Sequence, residues 1–189
     1  MRQFKRNIFR KVRTTAFILL ASVFSVGESL FLSGCSSHSL LILHTNDTHS
    51  QIYPYPKTLA DTMKAGRGGF LRRIAMLKKE RKKTPDLLLF DSGDFSQGSP
   101  YYTLYKGDVE AGLMNLMHYD AGTIGNHEFD FGLENMARVF RELNFPIVCS
   151  NYDFTGTPVE GTVVKHRIIK RRGFKIGVFG ICPKMDGLV

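Results

Sequence analysis

The chain has 189 residues, of which 43% are hydrophobic, 23% charged and 12% aromatic. This ordinary globular balance excludes a wholly disordered chain, a collagen-like repeat and a disulfide-dense miniprotein. The formal charge of +9 is unevenly placed: six of the 26 basic residues and one of the 17 acidic ones fall in residues 1–34, so the remainder carries only +4.

In chain order, the first element is an export signal. Arg2, Lys5, Arg6, Arg10, Lys11 and Arg13 precede the apolar run Ala16-Phe-Ile-Leu-Leu-Ala-Ser-Val-Phe-Ser-Val26. A cationic segment followed by an apolar run too short to span a bilayer comfortably is the order of a secretory signal. Its end, Leu32-Ser33-Gly34-Cys35, resembles a bacterial lipobox. That resemblance implies that Cys35 is lipidated and becomes the new N-terminus, anchoring the protein to a membrane and facing the periplasm or cell surface. Residues 35–39 then read as a flexible tether.

Beyond the tether, short apolar runs alternate with amphipathic stretches. Leu40–Leu43 is a buried strand leading into His44-Thr-Asn-Asp-Thr-His49, and Phe70, Ile74 and Leu77 recur at helical spacing over 68–82. Leu87–Phe90 is the second strand, 108–118 a helix rich in Leu and Met, and Thr123-Ile124 a brief strand. A helix over 133–143, a strand over Pro146–Ser150, a hairpin arm over 162–170 and a last strand over Lys175–Ile181 follow. Strands alternating with helices predict an α/β fold with mostly parallel pairing, and such folds place ligands just past the C-terminal ends of strands. The basic run Arg72–Lys83 reads as the solvated face and last turn of a helix, where cations suit the dipole, so no nucleic-acid partner is expected. Cys149 and Cys182 end apolar runs; buried free thiols are the expected state, with a disulfide between them as the alternative.

Three successive strands end in polar residues suited to a metal. Asp47-Thr48-His49 offers a carboxylate and an imidazole, expected on one face of an extended segment. Gly93-Asp94 adds a carboxylate whose two oxygens can bridge two ions. Gly125-Asn126-His127-Glu128 adds a neutral amide ligand, and Asp130 lies three residues past His127, within reach of its ring. Singly, each motif has a duller reading: Asp91 and Asp94 as turn residues, Asn126 as a turn former, His127 and Asp130 as a surface pair. The repetition at three strand ends is what those readings leave unexplained.

In that order, the strings Leu41-Ile-Leu-His-Thr-Asn-Asp-Thr-His49, Asp91-Ser-Gly-Asp-Phe-Ser-Gln-Gly-Ser-Pro100 and Gly125-Asn-His-Glu-Phe-Asp-Phe-Gly132 resemble the calcineurin-like metallophosphoesterases. They closely resemble the bacterial 5′-nucleotidase and UDP-sugar hydrolase family of exported metallophosphatases. The resemblance covers residues 40–189 and implies the N-terminal part of a layered α-β-β-α sandwich. It implies two divalent ions, Zn²⁺, Mn²⁺ or Fe²⁺, with Asp47 and His49 as ligands of the first and Asp94 as the bridging carboxylate. Asn126 would be a ligand of the second ion that also touches the substrate phosphate. His127 with Asp130 would be the catalytic dyad, His127 also facing the phosphate. The implied activity is hydrolysis of a nucleotide phosphate ester by a hydroxide that two metals activate. His44 and Glu128 receive no ligand role.

The family pattern also includes later ligands, a lone histidine and a Gly-His-x-His cluster. After His127 this sequence holds only His166, which reads as an exposed histidine in the hairpin arm. Residues 40–189 alone are therefore expected to be marginally stable and weakly active or inactive. A split enzyme completed by a second polypeptide, a truncated remnant and a non-catalytic lipoprotein are the alternatives to a self-sufficient hydrolase.

Overall fold

The computed structural model describes residues 39–185; the expected export signal, Cys35 and residues 36–38 of the expected tether lie outside them, as do residues 186–189. Five strands pair in chain order into one parallel sheet: β1 (Ile42–Thr45), β2 (Leu88–Asp91), β3 (Ala121–Gly122), β4 (Ile147–Val148) and β5 (Val163–Val164). The register sets Ile42 beside Leu88, Phe90 beside Ala121, Gly122 beside Ile147, and Ile147 beside Val163. Leu87, Leu88 and Leu89 are all buried, as befits a parallel strand covered on both faces.

Helices cover one face. α1 (Phe70–Lys83) buries Phe70, Ile74 and Leu77, the three residues whose spacing announced it. It ends where Pro85 disfavours helical backbone at the preceding residue, with the Thr84 N–H donating to Glu80. α2 (Pro100–Tyr105) is an additional short helix beyond those the periodicity predicts; Ser99 caps it, accepting from the N–H groups of Tyr101 and Tyr102, with Pro100 in the first turn. α3 (Asp108–Met117) buries Ala111, Met114 and Met117, and α4 (Gly132–Glu142) buries Met136, Ala137, Val139 and Phe140. Their apolar faces merge with Leu87, Leu89, Ile124 and Ile147 into one core.

The other face meets a two-stranded antiparallel sheet, β6 (His166–Arg171) and β7 (Phe174–Phe179). Its two-residue turn, Arg172-Gly173, has φ of 49° and 82°, the left-handed pair that matches hairpin twist. Val178 and Phe179 line a cavity of about 220 Å³ together with Phe90, Ala121, Thr123 and Val148 of the parallel sheet. Helices, parallel sheet and hairpin thus stack as α, β and β layers of the expected sandwich.

Two boundaries differ from the sequence reading. β3 forms two residues earlier than Thr123-Ile124, because its pairing partners are Phe90, Asp91 and Ile147 rather than the most apolar stretch. The arm over 162–170 divides between sheets: Val163 and Val164 pair with β4, and His166 onward joins β7. The division falls at Lys165, whose carbonyl accepts from the Ser150 hydroxyl at 2.6 Å. The basic face of α1 is largely solvated as expected, with Arg72, Lys78, Lys79, Lys82 and Lys83 exposed; Arg73 and Arg81 are the half-buried exceptions. Arg73 lies 4.0 Å over the Phe70 ring, and Arg81 donates to the carbonyls of Met117 and His118. Among the described residues no helix is long and apolar enough to cross a membrane.

Candidate metal centre and catalytic dyad

The polar residues after β1, β2 and β3 meet at the C-terminal edge of the parallel sheet. The loop after β1 runs alongside the loop after β2: the N–H groups of Asp47, His49 and Ser50 donate to the carbonyls of Gly93, Asp94 and Phe95 at 3.0, 3.0 and 2.9 Å. Ligand atoms of Asp47, His49 and Asp94 consequently all lie within 4.8 Å of one another. The expected route to this convergence was side-chain alternation along an extended segment, and the structure corrects it. β1 ends at Thr45; Asp47 and His49 have φ of 49° and 40°, in the left-handed region, as do Ser50 and Asp94 at 49° and 54°. Non-glycine residues seldom adopt that backbone, and here four do so in two paired loops.

Glycine makes the third loop's approach possible. A Cβ on Gly93 would lie 2.4 Å from the backbone nitrogen of Gly125, and one on Gly125 would lie 2.1 Å from Asp94 Oδ1. With both absent, the His127 N–H donates to Asp94 Oδ1 at 2.9 Å, which orients that carboxylate. The single 3₁₀ turn His127–Phe129 then presents the His127 ring, with half-buried Asn126 just before it and its carbonyl accepting from Phe129. The His127 and His49 ring centres are 5.2 Å apart at 72°. Asp130 sits beside His127 as the three-residue spacing implied, its carboxylate oxygens 3.1 and 3.2 Å from Nδ1. With Nδ1–H donating to Asp130, Nε2 is the nitrogen left for chemistry.

Two buried carboxylates hold this arrangement. Glu128 is 3% exposed and accepts from three backbone N–H groups: Asp94 at 3.0 Å, Ser96 at 3.2 Å and Gly125 at 2.7 Å. It joins the second loop to the third. Burial pushes its pKa up, against the pull of those three donors. The sequence reading gave Glu128 no ligand role, and the structure gives it this structural one; its position three residues after Gly125, with N–H groups still unsatisfied at a helical turn, was the available signal. Asp91 behaves as the duller reading held: its Oδ1 accepts from Gly93 N–H at 3.0 Å in a local turn, and Oδ2 accepts from the Thr45 hydroxyl at 2.6 Å. Burial pushes Asp91 up to about 7, opposed by those two donors and by Arg73. A third buried group, Glu110, accepts from the Ser50 hydroxyl, which also lies 2.5 Å from Ser99 Oγ. Nothing in the local sequence marks Glu110 as inward-facing except the helical phase it shares with Met114 and Met117.

The donor set fits a divalent metal. His49 Nδ1 is buried with no hydrogen-bond partner, an arrangement that is costly for a polar atom unless something coordinates it. Two carboxylates and an imidazole whose ligand atoms lie within 4.8 Å of one another, with His49 Nε2 3.7 Å from Asp47 Oδ1, suit Zn²⁺, Mn²⁺ or Fe²⁺. His44 is exposed on β1, and His166 is exposed at the start of β6, away from a ligand-like setting in both cases. Cys149 and Cys182 are buried free thiols.

Fold and site together define an α/β protein with a candidate metal centre and an adjoining His–Asp pair at the carboxyl edge of a parallel sheet. The chain belongs to the calcineurin-like phosphoesterase family, whose model matches residues 40–181. It is 33% identical over 181 residues to a human 5′-nucleotidase, covering 93% of this chain and 31% of that protein. A probable 5′-nucleotidase of Treponema pallidum is 31% identical over 176 residues, covering 87% and 30%. The crystal structure of a 5′-nucleotidase precursor from Thermus thermophilus has a TM-score of 0.69 at 29% identity, over 76% of this chain and 28% of that one. The chain spans less than a third of the length of these relatives.

Proposed function

We propose that the protein is a metal-dependent phosphoesterase that hydrolyses the phosphate ester of nucleotides outside the cytoplasm. The observation that carries this reading is the meeting of Asp47, His49 and Asp94 beside the His127–Asp130 pair, in a chain whose relatives are 5′-nucleotidases. Asp47, His49 and Asp94 would hold one divalent ion, and Asp94 with Asn126 a second. Ions held there supply Lewis acidity, acidifying water and offsetting phosphate charge.

The chain's own groups do the rest. The His127 N–H fixes Asp94 by its Oδ1, leaving Oδ2 for coordination. Asp130 fixes the ring of His127 through Nδ1, so that Nε2 can deliver a proton to the departing ribose oxygen or stabilise charge on the phosphoryl group. Glu128, buried behind both loops, keeps Asp94 and His127 at constant separation. The export signal and the lipobox at Cys35 support a membrane-anchored protein facing the periplasm or cell surface, where extracellular nucleotides are the substrate class.

The test is phosphate release from AMP by the full chain with added Mn²⁺ or Zn²⁺, beside Asp94→Ala and His127→Ala. The reading expects release that chelation abolishes and that both substitutions reduce by at least about a hundredfold. Release insensitive to both substitutions overturns it, and none from the unsubstituted chain overturns the self-sufficient hydrolase in favour of the split enzyme or the remnant.

A further inference from the structure

Two cysteines outside the metal centre stand closer together than packing alone requires. Cys149 follows β4 and Cys182 follows β7, yet their sulfurs are 3.1 Å apart, with only 2% and 3% of each residue exposed. The intervening backbone is locked in place. Asn151 Oδ1 accepts from the Cys182 N–H and its Nδ2 donates to the Cys182 carbonyl, both at 2.9 Å. The Ser150 N–H donates to Gly180 at 2.8 Å. The Cys149 thiol points at Asn151 Oδ1 at 3.6 Å, and Thr123 Oγ1 lies 3.7 Å from the Cys182 sulfur. The sulfurs need move only about 1 Å to reach bonding distance, with no change in backbone pairing.

We propose that Cys149 and Cys182 form a cross-linking site, which a disulfide oxidant closes into a covalent bond between β4 and the segment leaving β7. The step is two thiol–disulfide exchanges. Either thiol can begin the exchange, and in the simplest order Cys149 is deprotonated first. Its thiolate bonds to one sulfur of the oxidant, such as glutathione disulfide, and expels the other half as a thiol. The Cys182 sulfur then displaces the second half. The protein loses two protons and two electrons, and the oxidant leaves as two thiols. The bond closes the segment 149–182 and fixes the β6–β7 hairpin against the parallel sheet at the end opposite its turn.

The experiment uses the full chain, reduced and then incubated with glutathione disulfide, alkylated under denaturing conditions and mapped by peptide mass. The expected product is a Cys149–Cys182 cross-linked peptide, two hydrogen atoms lighter than the sum of its parts. Thermal unfolding should shift upward by about 10 °C, reversibly with dithiothreitol. Cys149→Ser and Cys182→Ser should show no such oxidative shift; if either fails to fold, the unsubstituted chain with and without dithiothreitol decides the matter alone. Recovery of both cysteines alkylated, as separate glutathione adducts or bonded to Cys35 overturns the proposal. A cross-link without a thermal shift overturns the claim that it fixes the hairpin.

Discussion

At the carboxyl edge of the parallel sheet, three loops are joined by paired backbone hydrogen bonds and by Glu128, whose carboxylate accepts from two of them. On the other side of the sheet, the β6–β7 hairpin is well paired internally but is fixed mainly at its ends. Arg171 reaches Asp120 at 2.7 Å and the Leu87 carbonyl at 3.2 Å at one end, and the Ser150–Cys182 stretch holds the other. Between those ends Ile168 is 54% exposed. Rigidity is concentrated where chemistry needs fixed distances, and it is built from buried polar groups rather than from apolar contact. Such groups are costly to break, because each lost partner leaves a desolvated donor or acceptor behind.

The sharpest break in that contrast is at the ligands themselves. Asp94→Ala should lower Mn²⁺ affinity, measured by calorimetric titration, by about a hundredfold or more while leaving the hairpin unaffected. Retained affinity would sink the metal assignment. Next in size is Glu128→Ala, which strands three backbone N–H groups. Urea unfolding should show a loss of roughly 3–5 kcal/mol, and metal affinity should fall with it even though Glu128 is not a ligand. A loss under about 1 kcal/mol would mean the loops hold one another without it.

Asp91 refines the comparison through pH. Its carboxyl, raised to about 7 in the fold from 3.8, binds its proton more tightly folded than unfolded. Its contribution is therefore complete below about pH 4 and is lost as pH rises toward 7. In metal-free protein the urea-derived stability should fall by up to about 4 kcal/mol over that window, and Asp91→Asn should flatten the slope. An unchanged slope in the variant would remove Asp91 as its source. The smallest effect belongs to the hairpin surface: Ile168→Thr, at a half-exposed position away from either anchor, should change stability by no more than about 0.5 kcal/mol. A change several times larger would show that this face is buried in solution.

Much of the frame was legible locally. Phe70, Ile74 and Leu77 announced α1 by their phase, and the run Leu87–Phe90 announced a strand covered on both faces. Asp47, His49, Asp94, His127 and Asp130 were marked because they follow apolar runs, and the structure draws them to one edge. What local pattern could not show was the means. The left-handed backbone at Asp47, His49 and Asp94 depends on pairing between loops more than forty residues apart. Val163 and Val164 look like part of the arm they precede, and only the free edge of β4 draws them into the other sheet. α2 is marked in the sequence only by the Ser99-Pro100 start signal, because its six residues are too few for a periodic pattern to register.

The sequence by itself determined the kind of layer each segment could join and the chemical groups at each strand end, since periodicity and turn chemistry act over a few residues. Only the tertiary structure decided which of those groups share a site, which carboxylates are buried as fasteners rather than offered as ligands, and which two thiols touch. Those outcomes rest on desolvation and on distances between segments remote in the chain, and neither quantity exists until the sheet has formed.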